Sequence, residues 1–244
     1  MEPADETAVP RAAATLLVVR DDPFEVLMLR RQGPGTFPSA LVFPGGAVDP
    51  DDSHADWVGM TRGGATLDTD DRAFRIAAVR ETWEEAGILV ALEGARVPAD
   101  PRTNYRAIVA GVEARLDLDG IHDFAHWVTP EPEPRRFDTR FFIARAPQGQ
   151  VASFDGNETV SLQWTSPRRA VELDRSGEVP LLFPTRLNLA RLAESDSVDA
   201  AIDAAITRPR FTVRPMAVSR PGGIAVLIPL EAGYGSVEGF IPAR

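Results

Sequence analysis

Residues 69–87, TDDRAFRIAAVRETWEEAG, restrict the fold more than any other stretch, because they read as one long helix with two unlike sides. Thr69 or Asp70 can cap its start, acidic residues fill its first turn, and Gly87 supplies the left-handed stop. At about 100° per residue, Ile76, Val79, Trp83 and Ala86 gather on one side. Glu81, Glu84 and Glu85 gather on the other, beside the small Ala77 and Ala78, which leave room next to the acids. Such a helix has to lay its apolar side on a core while keeping three carboxylates together.

The flanking segments supply that core. Residues 12–20 (AAATLLVVR) and 24–31 (FEVLMLRR) are apolar, β-branched strand candidates split by a DDP turn. Residues 33–39 form a loop, LVF at 41–43 is a short strand ending at PGG, and residues 47–71 are an insertion loop with a short helix near 53–57. A strand resumes at 88–92, and a second helix covers 103–118, capped by Thr103. RFDTRFFIARAP and ETVSLQWTS are strands, SPRRAVEL opens a helix, and FPTRLNLARLAES and VDAAIDAAI are two more. A last β pair, RFTVRPMAV and IAVLIPL, flanks RPGG. Hairpins and helical crossovers both occur, so the expected class is α/β with a mixed sheet. The expected organisation is a disordered tail over 1–11, one domain over 12–195 and an extension over 196–244 packed on that domain.

Composition narrows the function. A formal charge of −10 over 244 residues repels long nucleic acids. The absence of cysteine excludes disulfides, thiolate metal sites and cysteine nucleophiles, and fits a reducing cytoplasm. No apolar run approaches the ~20 residues of a membrane span. The acidic start, MEPADETAVP, has no basic n-region or apolar h-region of a signal peptide. The expected location is cytoplasmic.

The three glutamates then need an explanation. Like charges at i,i+4 cost roughly 0.2–0.5 kcal/mol even when exposed. At ~6 Å and an effective dielectric of ~20 the repulsion reaches roughly 3 kcal/mol. A solvated helix face is the bland reading, but such faces interleave signs, and Glu85 itself occupies i+4 from Glu81. A divalent cation turns the repulsion into attraction, since hard ions take carboxylate oxygens. Arg80 is placed to orient a member of the cluster from its flank. Upstream, FPGG (residues 43–46) ends a strand where glycine can bring bare backbone close to a ligand.

Together, FPGG and RETWEEAGI resemble the box of the Nudix hydrolases, G-x5-E-x7-R-E-U-x-E-E-x-G-U, where U is aliphatic. The match holds at Arg80, Glu81, Glu84, Glu85, Gly87 and Ile88, and Thr82 departs at an aliphatic slot. Counting from Gly46, the first box glutamate falls on Asp52, after which about twenty residues are inserted. Arg72 stands where uninterrupted spacing would want Glu, and Asp49 competes with Asp52. An interruption after FPGG is similar to the branch typified by the peroxisomal coenzyme A diphosphatases, and the resemblance runs from about Thr15 to Ala193. The coenzyme A signature that precedes FPGG in that branch is poorly kept: Gly35 stands at its second arginine and Ser39 at its glycine.

The resemblance implies a mixed sheet sandwiched between helices and Mg²⁺- or Mn²⁺-dependent hydrolysis of a diphosphate, with coenzyme A or acyl-CoA as substrate. ADP-ribose, a nucleotide sugar or a dinucleoside polyphosphate is the alternative substrate, and a catalytically silent ligand-sensing or partner-binding Nudix module the alternative class. It implies Glu81 and Glu85 as metal ligands with the Gly45 carbonyl, and Glu84 as a third ligand or the base. Dimerisation, common in that superfamily, is expected by analogy. Arg30, Arg31 and Gly46 are candidate phosphate contacts, with edge solvation an equal reading of the arginines. Asp138 and Arg140 meet phosphate or are surface polarity, and Glu158 is a distal ligand or a strand-edge charge. His54, His122 and His126 have no zinc spacing, and Trp83 and Trp164 read as packing.

Overall fold

β1 (Arg11–Arg20) is the strand around which the sheet is laid. Residues 21–24 turn it into β2 (Glu25–Arg31), with Val19 opposite Val26. After β3 (Leu41–Val42), which pairs with β2, the chain returns as β4 (Gly45–Ala47), setting Gly45 opposite Thr15 and Gly46 opposite Ala14. The computed structural model describes residues 9–31, 40–90, 104–111, 115–131, 133, 135–154, 159–235 and 238–242. β8 (Phe137–Arg145) runs parallel to β1 along its whole length. β2 and β4 therefore divide β1's other edge, β2 at its C-terminal end and β4 at its N-terminal end. Beyond β8 lie β7 (His122–Val128) and the two-residue β10 (Thr212–Val213), while β9 (Thr159–Thr165) pairs with β2.

Period-two alternation gives this sheet two apolar faces, as a doubly covered sheet requires. Leu16, Val18, Leu27, Leu29, Phe142 and Ala144 face α2 (Thr69–Ala86). Leu17, Val19, Val26, Met28, Phe141 and Ile143 face α4 (Pro167–Arg175), α5 (Phe183–Leu192) and α6 (Val198–Thr207). The result is the α/β/α sandwich with a mixed sheet. Residues beyond 195 contribute to it directly: α6 buries Val198, Ala201 and Ala205 in the second core, and β10 extends the main sheet. A separate antiparallel sheet of β11 (Met216–Arg220), β12 (Gly223–Leu227) and β13 (Glu238–Pro242) follows.

Several expectations need correction. The long helix is capped by Asp68, whose carboxylate accepts from the Asp71 N–H at 2.7 Å, rather than by Thr69 or Asp70; Gly87 ends it at φ 67°. The insertion carries a 3₁₀ turn at Pro50–Ser53, then α1 (Trp57–Met60) and β5 (Thr61–Arg62), so its helix starts where it was expected to end. Residues 88–90 form no strand, although Ile88, Leu89 and Val90 are buried. The Gln150 amide grips both backbone groups of Leu89, at 2.8 and 3.1 Å, in place of a neighbouring strand. Among the described residues the second helix is α3 (Tyr105–Gly111), and Leu116–Asp117 is instead β6, parallel to β5. Thr103, its expected cap, and the loop at 33–39 lie outside the described residues. Ala77 and Ala78 are fully buried, so they bring α2 close to the sheet instead of leaving space beside the acids.

Candidate active site

Gly45 and Gly46 open strand β4 rather than forming the turn expected at PGG, and they meet the last turns of α2 there. The Gly45 N–H donates to Glu85 Oε2 at 2.9 Å. A Cβ on Gly46 would stand 2.5 Å from the Glu81 carboxyl carbon, so the absence of a side chain there is what admits Glu81. A Cβ on Gly45 would stand 2.5 Å from the Ala14 carbonyl oxygen, so this glycine is required by backbone packing.

Arg80 occupies the centre. Its guanidinium donates to Asp52 through Nε and Nη2, both at 2.9 Å, to the Ala47 carbonyl at 2.9 Å, and through Nη1 to Glu81 at 2.7 Å and Glu84 at 3.1 Å. Asp52 is 1% exposed and also accepts the Asp49 N–H at 2.8 Å. Burial alone would lower the Arg80 pKa, but the hydrogen bond and charge of Asp52, with Glu81 beside it, raise it instead. Burial raises the pKa of Glu81 against the pull of Arg80, and does the same to Glu84, with Glu81 adding to the rise.

This arrangement revises the electrostatic reading of the helix. The repulsion expected among the glutamates is already relieved within the chain, by Arg80 on Glu81 and Glu84 and by a backbone N–H on Glu85. No group of three or more His, Asp or Glu stands in ready metal-binding geometry among the described residues. Thr82, the departure at an aliphatic slot, is fully buried and donates its hydroxyl to the Ala78 carbonyl at 2.8 Å, one turn back.

Of the other candidates, Asp52 is the buried counter-ion of Arg80, and Asp49 approaches the same guanidinium at 3.9 Å. Sequence reasoning missed this role because the two partners are 28 residues apart, although an acid at the spaced position was the available signal. Alternation sets Arg30 on the face of Val26 and Met28, opposite the one α2 covers. Arg31 is the last residue of β2; its side chain and Glu158 lie outside what is described. Asp138 pairs with His126 at 2.5 Å, and Arg140 with Asp71, away from the glutamates. His54 is exposed, its Nδ1 accepting from the Asp56 N–H at 3.2 Å, and His122 is half-buried with its pKa lowered by burial and then by Arg75. Trp83 is core, and Trp164 packs on it under the Arg20 guanidinium, 4.2 Å from the ring centre.

A Gly-Gly strand start seated against a three-glutamate helix on a doubly covered mixed sheet defines a Nudix domain, and the chain belongs to that superfamily. Within it, the NUDT19 Nudix-domain family model matches residues 60–192. The acyl-coenzyme A diphosphatase NUDT19 of Homo sapiens is 31% identical, the match covering 72% of this chain and 62% of that protein. Its Gallus gallus counterpart is also 31% identical, with 72% and 63% covered. The chain thus spans less than two thirds of the length of these curated relatives. The crystal structure of a Nudix hydrolase from Alicyclobacillus acidocaldarius superposes with a TM-score of 0.71 at 31% identity, over 84% of this chain and 100% of that one.

Proposed function

We propose that this protein is a divalent-cation-dependent hydrolase of P–O–P linkages, with coenzyme A or an acyl-CoA as substrate. The observation that carries the reading is that Glu81 and Glu85 close on the Gly45–Gly46 backbone, while the Arg80 guanidinium ties Glu84 to Glu81. The donor set suits a hard ion of the Mg²⁺ class: the candidate ligand atoms are all oxygens, and the bare Gly46 backbone lets the Glu81 carboxylate come in against it. Glu81 and Glu85, with the Gly45 carbonyl, would hold that ion. When bound, it would neutralise charge on the non-bridging phosphate oxygens and make water a stronger nucleophile.

The chain's own groups do the rest. Glu84 is half-buried with a raised pKa, which makes it a better base than a solvated carboxylate, and it accepts the proton of the attacking water. The water oxygen bonds to one phosphorus, the bridging P–O bond breaks, and its electron pair leaves on the other phosphate. Arg80, anchored by Asp52, holds Glu81 and Glu84 in place while this happens. The substrate choice is supported by the names of the two NUDT19 relatives.

The test is a panel of diphosphates with Mg²⁺ or Mn²⁺, with and without chelator. Chelator-sensitive release of 3′,5′-ADP and phosphopantetheine from coenzyme A is expected. Preference for ADP-ribose or a nucleotide sugar would overturn the substrate, and inertness toward the whole panel would overturn the activity. Glu84→Gln should lower kcat by 10²-fold or more, on the order of general-base catalysis, while leaving metal affinity within a few-fold.

A further inference from the structure

At the far edge of the sheet, where β10 closes on β7, lies a cavity of about 270 Å³. Arg140, Arg191, Arg208 and Arg210 line it, with Asp71 and Asp123 as its lining carboxylates, in a chain whose formal charge is −10. Three of these arginines have carboxylate partners: Arg140 pairs with Asp71, Arg208 with Glu194 at 3.3 Å, and Arg210 with Asp123 at 2.6 Å. Arg191 has none among the described residues. It is 6% exposed, its Nη2 donates to the Ala232 carbonyl at 2.6 Å, and its guanidinium lies 3.4 Å from the centre of the Tyr234 ring. Its Nε–H is buried and lacks any hydrogen-bond partner among the described residues.

A buried donor left unpaired costs about 1–3 kcal/mol, and more on a charged group. Burial, followed by the nearby charge of Arg208, lowers the Arg191 pKa, the direction expected of a cation in need of an anion. We propose that this cavity is a second binding site, for a phosphate monoester or inorganic phosphate, with Arg191 as its buried anchor and Arg208 and Arg210 closing on the anion from its rim. Phosphate is favoured over carboxylate because it offers enough oxygens to receive more than one guanidinium fork. The volume falls below the roughly 300–1,000 Å³ of sites for drug-sized ligands, which suits a phosphate group or a small phosphorylated molecule.

The site is separate from the glutamate cluster. Asp71, on its rim, precedes Glu81 by ten residues of α2, a separation of about 15 Å along the axis. The inference does not rest on the proposed hydrolase activity.

The experiment titrates the full chain with inorganic phosphate and with a phosphate monoester, at constant ionic strength and in a Glu81→Gln, Glu85→Gln background that disables the other site. One-site saturable binding is expected. Arg208→Gln with Arg210→Gln, both accessible positions, should weaken binding tenfold or more without moving the thermal midpoint of the free protein; Arg191→Lys should weaken it as well. No saturable binding, or full binding in the double variant, would overturn the proposal. The source of the phosphate is separated by kinetics in the wild-type background. If the group belongs to the substrate, the double variant raises KM for coenzyme A but not for dephospho-coenzyme A; if it is a free ligand, both KM values stay put while phosphate binding is lost.

Discussion

At the scale of single residues, the site depends on one buried ion pair and two glycines with different duties. Asp52 holds Arg80 by two hydrogen bonds with almost no access to water, and Arg80 holds two glutamates. Removing one partner of a buried pair leaves the other uncompensated, typically at 3–5 kcal/mol. Asp52→Asn should therefore lower stability by about 3 kcal/mol, read as a lower urea midpoint at unchanged m-value. The glycines separate fold from function. Gly45→Ala drives a methyl into the Ala14 backbone and should destabilise by about 1–3 kcal/mol. Gly46→Ala meets the far end of the Glu81 side chain first, so it should displace that carboxylate and abolish turnover while the thermal midpoint stays close to wild type. The glutamates were legible in the sequence because i, i+3 and i+4 spacing places them together by helix geometry alone. Asp52 was legible only as an acid at a counted position, since its contact with Arg80 crosses an insertion whose path no local rule predicts.

At the scale of elements, signals confined to one segment were readable and those between segments were not. The β1–β2 hairpin, α2 with its glycine stop, and α4 with Ser166 as its cap follow from alternation, periodicity and capping. β7 was hidden because HDFAHWV mixes charge with apolar residues and bulges between Asp123 and Ala125. Residues 88–90 have the composition of a strand, but the Gln150 side chain supplies the hydrogen bonds a neighbouring strand would have given. The start of α2 was misplaced by one or two residues because Thr69, Asp70 and Asp68 are all competent caps, and only geometry selects among them. Asp68→Ala should cost about 1 kcal/mol, measured by denaturant unfolding, whereas Asp70→Ala should cost appreciably less.

At the scale of the whole molecule, His122 should add to stability a share that grows with pH in the window below 6.5. Its folded-state pKa is lowered from the ordinary 6.5, by burial first and by Arg75 second. The unfolded chain therefore takes up this proton at a higher pH than the folded one. The imidazole's favourable share of stability is present above pH 6.5 and is lost as pH falls through the lowered folded value. His122→Gln should flatten the stability profile in that window and leave it parallel to wild type above it.

The guanidinium lodged among the acids of α2 has one more consequence. Because this built-in positive charge already satisfies them, the polypeptide can reach its native state before any mineral ion is delivered, and folding is uncoupled from ion supply. Treatment with EDTA should abolish the proposed diphosphate hydrolysis yet shift the melting temperature by no more than a few degrees, with hydrolysis returning as magnesium is restored.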